Sequence, residues 1–145
     1  MFSKPSLLTR IAVGKLVGLL IGAVGFFALP AFGMDDMKLR IGILFWYTAV
    51  GAFIGLAGVM TWHPILKMKL PWWFMGIMIG AWMNFLLILF TFEVFEPMLA
   101  ANPVMGVTSP WWGVLEGAVV GLVLSGLATL FGGEGPETVR VMQKP

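Results

Sequence analysis

Four polar side chains interrupt otherwise apolar stretches of this sequence, and they have the clearest capacity for chemistry: Tyr47, Thr48, Asn84 and Glu116. Polar groups at hydrocarbon depth are costly and usually face a protein interior or a water-filled cavity. A carboxyl group beside a phenol, a hydroxyl and an amide suits the binding of a proton or a cation. It suits hydrogen bonding between helices equally, so both interpretations stay open.

Other reactive groups are scarce. The chain has no cysteine, which excludes disulfides, thiol catalysis and thiolate metal sites. The single histidine, His63, excludes ligation of haem or metal by paired histidines within the chain. No Gly-x-Ser-x-Gly elbow, phosphate-binding loop or metalloprotease motif is present. We therefore expect no enzyme activity, no metal and no cofactor.

Composition indicates that a lipid bilayer rather than water surrounds these residues. Hydrophobic residues make up 59% of the 145 residues and charged residues 11%, against roughly 45–50% and 25% in an average soluble domain. A soluble chain this short cannot bury so much apolar surface. The net charge of +2 is spread thinly, without a basic run, so nucleic-acid binding has no support.

A membrane-spanning helix needs about 20 mostly apolar residues, and four windows qualify: residues 10–31, 40–61, 71–92 and 111–131. The sequence predicts an all-α polytopic protein, a four-helix transmembrane bundle within residues 1–133. We expect the first span to be retained rather than cleaved as a signal peptide. Residues 134–145 are expected to form a poorly ordered polar tail, and the proline-containing stretch 96–110 an interfacial loop.

Counting residues from alternating membrane faces places the four polar side chains at similar depth. Tyr47 and Thr48 lie about two turns inside the second span, Asn84 about two turns from the end of the third, and Glu116 about a turn and a half inside the fourth. The sequence therefore predicts one intramembrane polar cluster of these residues.

Small residues recur at four-residue spacing on every span. In lipid, helices associate through close backbone packing more than through apolar burial. The predicted packing residues are Gly14, Gly18, Gly22, Gly51, Gly55, Gly76, Gly80, Gly113, Gly117 and Gly121. These faces pack either within the bundle or against another subunit.

Tryptophan and basic residues indicate how the chain sits in a bilayer. Interfacial anchors are predicted on one side at Trp62, Trp72 and Trp73, and on the other at Trp111 and Trp112. One side carries Lys4, Arg10, Lys15, Lys67, Lys69, Arg140 and Lys144, and the other only Lys38 and Arg40. By the positive-inside rule both termini face the cytoplasm, and we expect a bacterial inner membrane.

Two functional hypotheses remain besides an unrecognised enzyme. The sequence favours the first, an accessory or structural subunit that packs through its small-residue faces in a larger membrane complex, with the lipid bilayer and other subunits as partners. The second is a small oligomeric transporter or channel for a cation or a proton-coupled solute, centred on Glu116. The bias of lysine and arginine predicts parallel association if the chain self-assembles.

Overall fold

The computed structural model describes residues 5–65, 67–103 and 106–140, and these residues are mostly helical. The prediction of four helices long and apolar enough to cross a membrane is confirmed. The elements are α1 Leu7–Ala28, α2 Met37–Ala57, α3 Trp72–Ala101, α4 Trp112–Gly132 and α5 Glu137–Arg140, with two short strands, β1 Trp62–His63 and β2 Met68–Lys69. A 3-10 turn, Leu29–Phe32, follows α1.

Local signals account for the helix boundaries. The Ser6 hydroxyl accepts a hydrogen bond from the Thr9 amide at 3.4 Å and caps α1. Pro30 lies in the 3-10 turn that ends the first span, and the Asp36 carboxylate caps α2 by accepting from the Lys38 amide at 3.0 Å. Each cap satisfies an amide that has no partner within its own helix.

The antiparallel hairpin β1–β2 joins α2 to α3 and was not predicted. It pairs Trp62 with Lys69 and His63 with Met68. It also shortens the second span, because α2 ends at Ala57 rather than near residue 61. The residues between Ala57 and Trp72 form the turn and hairpin that reverse the chain direction from α2 to α3.

The prediction for α3 is wrong at its end. The helix continues past residue 92 and through Pro97 to Ala101, so the first part of the expected 96–110 loop is helical. Glu93 and Glu96 end the apolar window, but glutamate, methionine, leucine and alanine all favour helix. At 30 residues α3 is about 45 Å long, which exceeds the roughly 30 Å of a bilayer core.

The four long helices form two tightly packed pairs, α1 with α2 and α3 with α4. Glycines lie at both contacts. A Cβ atom on Gly14 would overlap the backbone carbonyl of Gly51, and one on Gly80 would overlap the carbonyl of Gly117. Only glycine permits this backbone approach, so the pairs depend on the small-residue faces.

The two pairs meet unevenly. We call the side with the start of α1 and the end of α4 the termini end, and the opposite side, with the 3-10 turn and the start of α4, the far end. At the termini end, Ser6 donates its amide to the Gly132 carbonyl at 2.9 Å and joins α1 to α4. A core of Val50, Ile54 and Leu124 fills the middle of the bundle, whereas α2 packs little against α3.

The first half of the polar tail packs on the bundle instead of extending from it. The Gly135 amide donates to the Gly58 carbonyl at 2.8 Å, and Thr138 is fully buried, with its hydroxyl donating to the Gly135 carbonyl at 2.7 Å. The expectation of poor order is therefore wrong for residues 134–140. Its remainder, residues 141–145, lies outside the described residues, as do Lys4 and Lys144 of the charge prediction.

Candidate functional site

A hydrogen-bonded cluster joins three helices in the far half of the bundle. The Tyr47 hydroxyl of α2 donates to the Glu116 carboxylate of α4, at 2.7 Å from Oε2 and 2.9 Å from Oε1. The Asn84 amide of α3 donates to Glu116 Oε2 at 2.7 Å and to the Gly113 carbonyl at 2.9 Å. We call Tyr47, Asn84 and Glu116 the carboxylate triad.

The glycine faces bring the triad together. A Cβ atom on Gly117 would lie 2.5 Å from the Asn84 Cβ, so only glycine leaves room for this side chain between α3 and α4. On the other pair, a Cβ atom on Gly18 would overlap the Tyr47 carbonyl. Close helix packing therefore determines how far Tyr47 and Asn84 reach towards Glu116.

Thr48 is not part of the triad, although the sequence analysis placed it in the cluster. Its hydroxyl donates to the Leu44 carbonyl of its own helix at 2.8 Å. Successive residues of an α-helix point about 100° apart, so Tyr47 faces the triad and Thr48 turns away. Such bonds to the preceding turn are common for threonine in helices.

Trp46 contacts the cluster and was missed. Its indole Nε1 donates to the Asn84 Oδ1 atom at 3.3 Å, so both polar atoms of this amide are engaged. The signal was present, because an indole N–H at the same depth as Asn84 needs an acceptor. The tryptophans predicted as anchors all lie near a membrane surface, whereas Trp46 lies inside the second span.

A cavity of about 800 Å³ adjoins the triad and is lined by the far halves of α1, α3 and α4, with a smaller part from α2. Tyr47, Asn84 and Glu116 line it at one point, and most of the remaining lining is apolar, including Ile21, Leu29, Leu87 and Val120. Ligand pockets commonly combine mostly apolar walls with a few polar groups that orient the ligand. The triad and its cavity have that construction.

Glu116 is exposed rather than enclosed by protein. Asn84, in contrast, is 2% exposed and Tyr47 8%. The buried Tyr47 hydroxyl and Asn84 amide therefore hold the Glu116 carboxylate, and Glu116 lines the cavity. Among the described residues, the observed salt bridge joins Arg40 to Asp35 at 2.9 Å, and no basic side chain pairs with Glu116.

A second polar cluster, centred on Arg10, lies at the termini end. Arg10 was counted among the charges on the cytoplasmic side, but its side chain is fully buried. Its guanidinium donates to the Gly55 carbonyl at 3.0 Å, the Thr129 hydroxyl at 3.1 Å and the Gly133 carbonyl. Arg10 thus ties α1 to the last turns of α2 and α4, whose carbonyls lack helical partners.

The remaining predicted residues fall into two groups. Gly14, Gly18, Gly22, Gly51, Gly55, Gly76, Gly80, Gly117 and Gly121 are buried, and added Cβ atoms would collide with a facing helix, while Gly113 faces the Ile88 side chain. Of the predicted anchors, Trp62, Trp73, Trp111 and Trp112 are exposed and Trp72 is half-buried. The glycine faces are thus occupied within the chain.

Within the part of the chain that the structure describes, no three acidic or histidine side chains lie close enough together to hold a metal ion. Comparison of the chain with protein-family models, with curated proteins and with solved structures finds no match.

Proposed function

We propose that this protein is a small membrane transporter or channel whose cationic or proton-coupled solute binds at the carboxylate triad. The observation that carries the proposal is the exposure of Glu116 into the 800 Å³ cavity, with its carboxylate held by Tyr47 and Asn84. Residues that only link helices have no need of an adjoining cavity.

The chemistry favours a positively charged solute. A carboxylate in apolar surroundings is costly unless it is paired or protonated, and the described part of the chain supplies no basic partner. A bound cation or a proton would neutralise it, and exchange of one for the other would couple their movements. Tyr47 and Asn84 keep the carboxylate in place in either state.

The test is flux in proteoliposomes loaded with a pH-sensitive dye. Proton movement is followed after a pH step and after a pulse of methylammonium, for the parent and for Glu116→Gln. Glu93→Gln is the matched control, because Glu93 is an exposed carboxylate of α3 that does not line the cavity. We expect Glu116→Gln to lose flux and Glu93→Gln to retain it.

Equal flux in the parent and Glu116→Gln would contradict a role for the triad. Absence of flux in the parent for protons and for a panel of Na⁺, K⁺ and methylammonium would contradict transport itself. Glutamine retains the length and acceptor oxygen of glutamate, so helix content by circular dichroism should not change. That measurement separates lost chemistry from lost folding.

An accessory subunit is the second candidate, and one observation favours it. The groove between α2 and α3 has a volume of about 830 Å³ and is lined by apolar residues, with Trp82 60% exposed and Phe53 54% exposed. The glycine faces no longer support this candidate, because they are occupied within the chain. Purification from native membranes tests it: other polypeptides in fixed ratio would favour a subunit, and a homo-oligomer would favour the transporter.

For the placement in the membrane, we infer a bacterial inner membrane with both termini in the cytoplasm. Lys15, Lys67 and Lys69 are exposed on the termini-end half of the protein, as the positive-inside rule requires. Since the chain has no cysteine, single cysteines can be introduced without background. A cysteine at Lys67 should react with an impermeant maleimide only after cell lysis, and one at Lys38 in intact spheroplasts; the reverse pattern would invert the topology.

A further inference from the structure

We propose that the cavity at Glu116 takes an amphipathic molecule with a primary ammonium group, which enters from the bilayer between α1 and α4. This assignment rests on the proposed function and names its solute class. Three features carry it: the unused acceptor capacity of the carboxylate, the apolar cavity and the position of its opening.

The hydrogen-bond inventory of the triad leaves acceptor capacity on Glu116. An ionised carboxylate accepts about four hydrogen bonds. Tyr47 has one hydroxyl proton to give, and Asn84 has two amide protons, of which one goes to the Gly113 carbonyl. The protein therefore donates at most about two hydrogen bonds to the carboxylate, and Glu116 lines the cavity.

A primary ammonium group matches this unused acceptor capacity. It supplies a positive charge and three N–H donors, which is the chemistry of a lysine head group. A trimethylammonium group carries the same charge without a donor, and an alcohol carries a donor without the charge. Of the primary ammonium, the trimethylammonium and the alcohol, only the primary ammonium therefore offers the Glu116 carboxylate both a positive charge and hydrogen-bond donors.

The rest of the cavity suits an apolar body. Its walls are formed largely by aliphatic and aromatic side chains, and its polar groups gather around the triad at one place. A small hydrated cation would occupy little of the 800 Å³ and would not contact the apolar walls. A hydrocarbon chain or ring would fill the cavity and contact those walls. A chain that enters from the bilayer exchanges lipid contacts for contacts with these walls, so its fit to the cavity depends on close packing rather than on leaving water.

The opening lies on the lateral surface of the bundle. Val24 of α1 is 70% exposed, and Leu115 and Val119 of α4 are 54% and 56% exposed, and all three line the cavity. Helices α1 and α4 approach each other at the termini end, where the Ser6 amide donates to the Gly132 carbonyl, and the cavity lies beside their far halves. The side of the cavity thus opens where lipid chains surround the bundle.

Depth agrees with an amphiphile. Glu116 follows Trp112, the first residue of α4, by four residues, which places it about 6 Å below that end of the helix. An amphiphile in a bilayer holds its polar head near this level and its tail in the hydrocarbon. It can therefore reach the carboxylate by lateral movement, without crossing the membrane first.

The experiment is calorimetric titration of the protein in phosphatidylcholine nanodiscs, with empty nanodiscs subtracted. Dodecylamine should bind, and dodecyltrimethylammonium should bind at least about tenfold more weakly because it loses the hydrogen bonds to a charged group. Methylammonium should also bind at least about tenfold more weakly, because it has no apolar chain to hold it in the bilayer beside the opening. Glu116→Gln should weaken dodecylamine binding by at least about tenfold, and Glu93→Gln should leave it unchanged.

A second variant tests the lateral opening without touching the triad. Val24→Trp adds bulk at the opening and should weaken dodecylamine binding. The matched control Val123→Trp places the same side chain on α4 at a position that is 46% exposed and does not line the cavity, so binding should be retained. Equal effects of the two substitutions would overturn entrance between α1 and α4.

Other outcomes separate this inference from the proposed function. Equal binding of dodecylamine and methylammonium would overturn the apolar requirement, and equal binding of dodecyltrimethylammonium would overturn the need for N–H donors. If no amine binds but proton flux depends on Glu116, the transporter stands and this solute class fails. Competition by phosphatidylethanolamine would identify a lipid head group as the source of the ammonium, and its absence a free amine.

Discussion

Replacing Gly51 by alanine tests the packing on which the whole site depends. Gly51 of α2 faces Gly14 of α1, and an added Cβ would overlap the Gly14 carbonyl oxygen and lie 2.6 Å from its carbonyl carbon. Both are backbone atoms and cannot rotate aside. The two helices must therefore separate along the contact that also includes Gly18 and Gly22.

The magnitude follows from two opposing terms. Inserting a methyl group into a close-packed contact costs about 1–3 kcal/mol, because even a small gap forfeits much of the dispersion energy along it. Alanine favours a helix over glycine by about 0.5–1 kcal/mol. We expect Gly51→Ala to lower the free energy of unfolding by up to about 2.5 kcal/mol, the largest difference between these two terms.

Gly42→Ala is the matched control on the same helix. A Cβ on Gly42 meets nothing within 4 Å, so only the helix propensity acts and stability should hold or rise by up to about 1 kcal/mol. The assay is reversible unfolding in mixed dodecylmaltoside–dodecylsulfate micelles, followed by far-ultraviolet circular dichroism. If the two variants unfold at the same detergent ratio, the argument that glycine is required at this contact is refuted.

Three further predictions use the same unfolding assay. Arg10→Met should destabilise by at least about 2 kcal/mol, since it removes the charged donor that joins three helices; retention of parental stability would contradict that role. Tyr47→Phe should cost about 0.6–2 kcal/mol, the range for hydrogen bonds between membrane helices, and Thr48→Val should stay within about 0.5 kcal/mol of the parent; the reverse order would restore Thr48 to the cluster. Ser125→Ala should cost about 0.6 kcal/mol, because it removes the 2.8 Å bond from the hydroxyl to the Trp72 carbonyl, and a loss of several kcal/mol would indicate a further role.

Prediction from the sequence succeeded where each helix could be read by itself. Span number and helix type depend on about 20 neighbouring residues. The starts were less accurate, because α1 and α2 begin at Leu7 and Met37, ahead of the predicted windows at residues 10 and 40. It failed at the end of α3, because the hydropathy window ends at Glu93 while helix propensity continues to Ala101. Hydropathy determines which residues can lie in the bilayer core, whereas helix propensity determines where the helix ends, and the two limits need not coincide.

The site could be predicted only in part. Depth along each span brought Tyr47, Asn84 and Glu116 to one level, since helical rise per residue is constant. Depth alone does not give the direction of a side chain around its helix, and that direction separates Thr48 from Tyr47. The cavity could not be predicted at all, because it depends on how far α1 and α4 diverge.

The sequence by itself determined the solvent, the spans and the scarcity of reactive groups, because composition and apolar length are properties of the chain alone. Only the tertiary structure decided which glycine faces pair, since any two such faces are compatible in isolation. It also turned Arg10 from a charge counted on the cytoplasmic side into a buried link between α1, α2 and α4. Each of those partners lies 45 or more residues away along the chain, so no local pattern carries the contact.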